Sequence, residues 1–331
     1  MIQMGTINWL FVCGLAFCIG GIVVLSFMPL GSGNATNIQK ITINILSFLS
    51  KDCICPLSRG RAKPNTELRE VPVSVQEAAP KPEHKLAVLV PFRDRFEELL
   101  QFVPHLTKFL KRQDIEHKIF LLNQVDRYRF NRASLINVGF RFTSSVYDYI
   151  AMHDVDLLPL NEALIYKYPS AAGPHHIAAP ELHPKYHYET FVGGILLVRC
   201  EHFELLNGMS NNYWGWGLED DEFYVRIRDA GLKVTRPDNI NTGVNDTFRH
   251  IHNRYHRKRD TQKCFNQKEV TRKRDRVTGL NTLNYKILHV QELAVDGISI
   301  TVLNILLECD LKETPWCDCS GTAVAASAVS T

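Results

Sequence analysis

Three short apolar runs, separated by two segments with helical periodicity, constrain the fold of this chain more than any other feature. LAVLVPF at 86–92 is continuously apolar and ends in Pro and charge, which is typical of a buried parallel strand. A helical pattern at 94–112 then leads to KIFLLNQ at 118–124, and a second one at 130–142 leads to DYIAMHDVD at 148–156. This alternation predicts an α/β domain with a mostly parallel sheet.

Three further elements are expected later in the chain. FVGGILLVR at 191–199 predicts a strand, DEFYVRIRDAG at 221–231 a helix that stops at glycine, and SITVLNILLEC at 299–309 a late strand. Pro104 is expected to kink or split the first helix, because proline removes a backbone donor.

The N-terminus contains one long apolar segment. Residues 7–30 carry no charge, and these 24 residues are enough to cross a bilayer. We expect a short tail at 1–6 and an uncleaved signal-anchor at 7–30, with a cleaved signal peptide as the alternative. Either places the rest of the chain in a secretory lumen or outside the cell. The boundaries that follow are a stem or linker at 31–84, a folded domain at 85–319 and a disordered tail at 320–331.

Two sequence features fit a secretory location. Asn34 and Asn245 begin sequons for N-glycosylation, and the first lies in the segment expected to be flexible. Nine cysteines are present without metal-finger spacing, and an oxidising lumen allows them to pair. Cys309 and Cys317 flank a short turn and form the preferred pair, although Cys319 is an alternative partner that the sequence leaves open.

Two short motifs have the spacing of metal ligands. Asp154 and Asp156 are expected at i and i+2 on the last residues of the third predicted strand, at the edge where an open parallel sheet binds its ligands. His250 and His252 repeat this spacing in TFRHIH, and such imidazoles with one carboxylate and diphosphate oxygens suit Mn²⁺. Either motif alone also fits a solvated strand end or a pair of surface histidines.

WGWGLEDDEF at 214–223 combines two tryptophans, two glycines and a run of acids. Indole rings stack on the apolar faces of sugars, and carboxylates accept hydrogen bonds from hydroxyls. Crowding among Glu219, Asp220 and Asp221 is expected to raise the pKa of at least one of them and to suit it to accept a proton. The alternative is a helix N-terminus, which favours acids but does not explain the tryptophans.

Six motifs together resemble the β-1,4-galactosyltransferases over roughly residues 85–317: VPFRDR, FNRASLINVG, HDVD, FVGG, WGWGLEDDEF and FRHIH. HDVDLLPLN, ELHPKYHY and TPWC resemble most the family members that add galactose to xylose on proteoglycan core proteins. The resemblance implies a Rossmann-like GT-A type domain of a Golgi type II membrane protein. It also implies a UDP-galactose donor, a xylosylated core protein as acceptor, Mn²⁺ as cofactor, and inverting transfer.

The resemblance also implies roles for individual residues. Asp220 would be the catalytic base, and Asp156, His250 and His252 would hold the manganese. The implied donor- and acceptor-binding residues are Pro91, Phe92, Arg93, Arg95, Asp154, Gly193, Gly194, Trp216, Glu219, Asp221, Tyr186, Tyr188 and Phe191. The family commonly has Tyr where this chain has Phe191, which keeps the ring without its hydroxyl and leaves open the selectivity between galactose and its N-acetylated relative.

A run rich in Lys and Arg begins at Arg254. The net charge of +3 and the apolar N-terminus argue against nucleic acid, so the run is either a solvated helix face or a surface for an acidic acceptor or the diphosphate. Two rival functions remain: a related transferase acting on N-acetylglucosamine or another acceptor, and a carbohydrate-binding membrane protein without catalysis.

Overall fold

The computed structural model describes residues 83–253, 255 and 257–320, which belong to one compact unit, Val75–Thr331. The predicted anchor, nearly all of the stem, the sequon at Asn34 and the tail after Ser320 lie outside this part. None of the helices that the structure describes has both the length and the apolar character needed to span a bilayer.

A seven-stranded mixed sheet forms the centre of the fold. Its strands are β1 (Lys85–Phe92), β2 (Glu116–Gln124), β3 (Tyr149–His153), β5 (His175–His176), β6 (Ile195–Arg199), β8 (Tyr285–Val295) and β9 (Ile298–Leu307). Two more strands, β4 (Leu157–Pro159) and β7 (Phe248–His250), form a separate antiparallel pair. The order in the main sheet is β5-β6-β3-β1-β2-β9-β8, with parallel pairing among β3, β1, β2 and β9 and antiparallel pairing at both edges.

The described part of the chain contains the helices α1 (Phe96–Lys111), α2 (Arg132–Thr143), α3 (Cys200–Leu205), α4 (Glu219–Asp229) and α5 (Gln267–Arg272). Of these, α1 and α2 cover opposite faces of the sheet. Along β1, Leu86 and Val88 pack in the core cluster that contains α1, whereas Ala87 and Leu89 pack in the cluster that contains α2. This alternation follows from the two-residue period of a strand, and it explains why β1 reads as a continuous apolar run.

The structure corrects three predicted element boundaries. The third strand ends at His153, so Asp154 and Asp156 lie beyond the strand rather than on it. The strand predicted at 191–199 begins only at Ile195, because Gly194 adopts a φ of 76° that an extended strand does not allow. Helix α1 runs through Pro104 as one helix of 16 residues, so the expected split is wrong.

The described part of the chain contains two disulfide bonds. Cys309 pairs with Cys317, with their Cα atoms 6.0 Å apart, which confirms the preferred pairing. Cys319 pairs instead with Cys264, whose Cα lies 5.8 Å away, and so ties the segment before α5 to the C-terminal end of the domain.

Candidate active site

One cleft of about 790 Å³ collects most of the predicted site residues beyond the carboxyl ends of β1 and β3. The predicted residues that line it are Pro91, Arg93, Arg95, Asp154, Asp156, Tyr186, Tyr188, Phe191, Gly194, Trp216, Glu219, Asp220, Asp221, His250 and His252. Phe92 does not line it, because its side chain is only 6% exposed and packs in the α1 core cluster. Gly193 does not line it either, although it lies directly behind one of the acids.

Pairing of β4 with β7 brings the two metal-ligand motifs together. Leu157 is the register partner of His250, and the backbone N–H of Ile251 donates to the carbonyl of Asp156 at 2.9 Å. The Oδ2 atom of Asp156 consequently lies 3.4 Å from Nδ1 of His252 and 4.0 Å from Nε2 of His250. A carboxylate and two imidazoles that are far apart in sequence, at positions 156, 250 and 252, thus face one another.

The protonation of these groups suits metal binding. Burial lowers the pKa of His250 to about 3 and that of His252 to about 4, so both rings are neutral near pH 7. Burial, followed by repulsion from Asp154, raises the pKa of Asp156 to about 6. Neutral imidazoles and a carboxylate are donors that Mn²⁺ accepts, and the donor set therefore fits this ion.

Two basic side chains contact the imidazoles. Nζ of Lys185 lies 3.2 Å from Nδ1 of His250, and a guanidinium nitrogen of Arg95 lies 2.9 Å from Nδ1 of His252. Within the described residues, no group of three or more His, Cys, Asp or Glu side chains is arranged as a ready-made metal centre. The chemistry of the donors therefore fits a cation, whereas their present geometry brings lysine and arginine to the same place.

The acids of WGWGLEDDEF form the first turn of α4, which starts two residues earlier than the pattern predicted. Arg132, the first residue of α2, bridges two of the carboxylates in the cleft. Its Nε donates to Oδ1 of Asp154 and its NH1 group to Oδ1 of Asp220, both at 2.9 Å. This buried guanidinium fixes the orientation of Asp220 and leaves its second oxygen for another partner.

Burial, more than crowding, raises the proton affinity of the acids. Desolvation raises the pKa of Asp220, and Arg132 opposes this shift. Desolvation also raises the pKa of Glu219 to about 7, with a smaller contribution from Asp220. The prediction that at least one of these pKa values is raised is confirmed, but its main physical cause is different.

Gly193 packs directly behind the acid predicted to be the base. A Cβ atom at this position would lie 2.5 Å from Oδ2 of Asp220 and 2.7 Å from the Phe191 ring. Such distances do not occur between real side chains, so only glycine allows Asp220 to take this position. The double glycine is therefore explained at Gly193 by packing and at Gly194 by its positive φ.

The two tryptophans have different environments, and the interpretation that both hold a sugar is wrong for one of them. Trp214 is only 3% exposed and packs in the α2 core cluster. Trp216 is 44% exposed and lines the cleft. Gly215 has a φ of 77°, and a Cβ there would lie 2.0 Å from the Arg129 guanidinium, so this glycine turns the chain between a core ring and a cleft ring.

Aromatic rings form the wall next to Asp220. Phe191 contacts the rings of Tyr186 and Tyr188, with centroids 5.1 and 5.5 Å away. Arg259 donates to the Tyr186 hydroxyl at 2.5 Å and lies 5.2 Å from the centroid of the Trp216 ring. The basic run thus reaches the cleft. Four of its residues line it: Arg257, Lys258, Arg259 and Lys263.

Two arginines, one in VPFRDR and one in FNRASLINVG, have roles in the structure that the patterns did not reveal. Arg93 donates to the backbone carbonyls of Gln124, Asp126 and Tyr128, so its guanidinium holds the loop between β2 and α2. Arg132 was present in a quoted motif without an assigned role. No local pattern marks the role of Arg132, because it depends on where the start of α2 lies relative to Asp154 and Asp220 in the folded chain.

Comparisons with known proteins give a consistent result. Residues 62–169 match the family model described as the N-terminal region of glycosyl transferase group 7, and residues 173–253 match the model described as the N-terminal domain of galactosyltransferase. The chain is 67% identical to beta-1,4-galactosyltransferase 7 of Drosophila melanogaster, with 100% of both chains covered. It is 51% identical to the xylosylprotein 4-beta-galactosyltransferase of Caenorhabditis elegans, over 71% of this chain and 82% of that one.

A solved structure gives the same result in three dimensions. The crystal structure of a mutant of the Drosophila β-1,4-galactosyltransferase 7, in complex with manganese, UDP-Gal and xylobiose, is similar to this chain with a TM-score of 0.71. The two are 76% identical, and the match covers 72% of this chain and 100% of that chain.

Proposed function

The chain belongs to the β-1,4-galactosyltransferase family, and on this basis we propose that it transfers galactose from UDP-galactose to a xylose residue in β1,4 linkage. The described residues form a glycosyltransferase catalytic domain with a mixed sheet that is parallel at its centre. The acceptor proposed in the cell is xylose on a proteoglycan core protein, which would make the product the first galactose of a glycosaminoglycan linker.

The observation that carries the proposal is the content of the cleft. Asp156, His250 and His252 lie with Asp220 in one concave surface, although these residues come from three separate segments of the chain: the turn between β3 and β4, the end of β7 and the start of α4. Exposed aromatic rings lie beside Asp220, where a sugar acceptor can stack. A binding protein without catalysis would have no use for a buried carboxylate oriented by an arginine opposite a metal-type donor set.

The reaction is a single displacement. Asp220 accepts the proton of the xylose hydroxyl while that oxygen attacks the anomeric carbon of galactose, and the bond from this carbon to the UDP oxygen breaks. The attack on the face opposite UDP inverts the anomeric centre. Arg132 occupies Oδ1 of Asp220, so Oδ2 is the atom that takes the proton. The base must be ionised to act, and Arg132 helps because it opposes the effect of burial on the pKa of Asp220.

The remaining residues bind and orient. Tyr186, Tyr188 and Trp216 would hold the acceptor and donor sugars, and Pro91 and Arg95 would line the site of the uridine diphosphate. Asp156, His250 and His252 would hold Mn²⁺, which when bound supplies positive charge that stabilises the departing diphosphate.

The apolar N-terminal segment supports a proposed location for the protein. The uncharged segment at 7–30 supports a single-pass type II protein of the Golgi membrane with the catalytic domain in the lumen, and the domain is proposed to be of the GT-A type. Two disulfides in the described residues fit an oxidising lumen.

An acceptor screen tests the proposed activity. The chain is incubated with UDP-galactose and Mn²⁺ and offered β-xylosides or N-acetylglucosaminides. Transfer to the β-xyloside that stops when the metal is chelated is expected. Transfer only to N-acetylglucosaminides would overturn the acceptor assignment, and an absence of transfer to every acceptor would overturn catalysis.

A further inference from the structure

His183 lies in the cleft wall, and none of the predictions gave it a function. Its side chain is almost completely buried, with only 3% of the residue exposed, yet it lines the cleft. The ring is held between Phe191 and Tyr186, whose centroids are both 5.0 Å away. Its orientation is therefore fixed by packing on both sides.

Hydrogen bonds determine which ring nitrogen of His183 carries a proton. The backbone N–H groups of Lys185 and Tyr186 both donate to Nδ1, each at 3.0 Å. A nitrogen that accepts hydrogen bonds has no proton, and the proton of a neutral imidazole then resides on the other nitrogen. Burial lowers the pKa of His183 to about 4, so the ring is neutral near pH 7. Nε2 of His183 is therefore an N–H donor at that pH.

This donor has no partner among residues 83–253, 255 and 257–320. Nε2 makes no hydrogen bond to these residues. It is also not fully buried, and because His183 lines the cleft, its exposed edge faces the open space there. A donor on a nearly buried ring is costly to leave unsatisfied, which makes a ligand atom its natural partner.

The surroundings select the kind of ligand. Arg259 donates to the hydroxyl of Tyr186, whose ring contacts that of His183, and Nζ of Lys185 lies 3.2 Å from Nδ1 of His250 on the same side of the cleft. Several donors of positive character with one carboxylate, Asp154, favour an anionic oxygen over a neutral one. We propose that Nε2–H of His183 donates a hydrogen bond to a diphosphate oxygen of the nucleotide-sugar donor. This inference rests on the proposed function and adds a positioning residue to it.

Two substitutions separate binding from structure. The amide oxygen of Asn in His183→Asn can replace Nδ1 as acceptor for the two backbone N–H groups but offers nothing at the Nε2 position. The amide nitrogen of Gln in His183→Gln reaches the Nε2 position and can donate there. His289→Asn, on the exposed strand β8 and outside the cleft lining, is the control.

Calorimetric titration with UDP and with UDP-galactose, both with Mn²⁺, measures the effect. We expect His183→Asn to weaken both nucleotides about tenfold or more, the effect of one hydrogen bond to a charged group. His183→Gln should recover part of the affinity, and His289→Asn should bind both nucleotides normally. Unchanged affinity in His183→Asn would overturn the inference. So would a loss confined to UDP-galactose, which would point to a sugar hydroxyl.

A measurement on the unmutated chain covers the case in which a variant fails to fold. With ¹⁵N-labelled histidine, the His183 spectrum should have the pattern of the Nε2–H tautomer. The Nε2 resonance should shift when UDP is added with diamagnetic Mg²⁺. An Nδ1–H pattern would contradict the inference. Failure of the proposed function would appear differently, as an unmutated chain that binds no UDP or transfers no galactose.

Discussion

Asp220 is the proposed base, and the proposed reaction depends on it most directly. Asp220→Asn keeps the size of the side chain and an oxygen for Arg132 but cannot accept a proton. We expect turnover to fall by about 10³-fold, within the range for removal of a general base, while UDP affinity stays within a factor of about two. Steady-state kinetics with a β-xyloside and calorimetry with UDP measure the two effects. Near-normal turnover would assign the base to another residue.

The position of Asp220 also depends on the absence of a side chain at Gly193. Gly193→Ala places a methyl group where Oδ2 of Asp220 and the Phe191 ring now lie, and one of them has to move. Because a displacement of about 1 Å in a catalytic group costs about 100-fold, we expect a loss of that size in kcat. Gly243→Ala is the control, since a Cβ there meets only an Asp246 oxygen at 3.9 Å. Equal activity of the two variants would show that Asp220 tolerates the shift.

The proposed role of His252 as a metal ligand predicts that its loss weakens Mn²⁺ binding. Its Nδ1 lies 3.4 Å from Asp156, and His252→Ala removes one nitrogen donor. We expect Mn²⁺ affinity, followed by titration with UDP present, to fall at least tenfold. His289→Ala, on the exposed strand β8, should leave the titration unchanged. An unaltered titration in His252→Ala would remove this residue from the metal ligands.

That candidate site residues would lie together was predictable from the sequence where their spacing indicates it. The acids at 154 and 156 and the histidines at 250 and 252 have that spacing, and they meet in the cleft. No such spacing marks Arg132 or His183. The contacts of Arg132 depend on where the start of α2 lies, and those of His183 on two backbone N–H groups that reach it only in the folded chain. Trp214 and Trp216 are indistinguishable as letters, and only packing separates a core ring from a cleft ring.

At the scale of elements, α4 carries acids of the cleft, including the proposed base, together with a buried ion pair. Its first turn carries the acids of the cleft, whereas Glu222 faces inward and its Oε1 accepts from Nε of Arg226 at 2.7 Å. Arg226 also donates to the carbonyls of Gly208, Asp275 and Thr278. One buried guanidinium therefore ties α4 to the loops that follow α3 and α5.

This arrangement predicts a large difference between two arginines of the same helix. Arg226→Met leaves the buried Glu222 carboxylate and several carbonyls without a donor, and we expect the free energy of unfolding to fall by about 3–5 kcal/mol. Arg228→Met should change it by less than about 0.5 kcal/mol, because Arg228 is exposed and pairs only at the surface. Denaturant unfolding compares them. Similar losses in both variants would mean that Arg226 is not the connection.

Elements were predictable where burial makes the pattern regular. β1, β2 and both long helices were found for this reason, but β8 was missed because most of its residues are exposed at the sheet edge. The available signal was Asp296-Gly297, whose φ values of 50° and 74° form the tight turn between β8 and β9. Asp-Gly between two alternating segments is a strong hairpin signal.

At the scale of the molecule, the two disulfides differ in what they connect. Cys309–Cys317 closes a loop over a sequence separation of 8, which a turn with proline makes recognisable. Cys264–Cys319 spans 55 residues and crosses from the basic segment to the C-terminal end. No local pattern encodes that pairing, since it depends on β8 and β9 returning the chain to the same place.

The difference in span leads to a prediction for stability. A crosslink restricts the unfolded chain more when its loop is longer, so loss of Cys264–Cys319 should cost about 4 kcal/mol and loss of Cys309–Cys317 about 2–3 kcal/mol. The paired variants Cys264→Ser/Cys319→Ser and Cys309→Ser/Cys317→Ser are compared by denaturant unfolding. Only the first pair should also weaken UDP binding, because Lys263, next to Cys264, lines the cleft and donates to the Trp216 carbonyl at 3.0 Å. If the shorter crosslink proved the more important for both properties, the segment before α5 would have to be held by Arg129 and its ion pair with Asp260 rather than by sulfur.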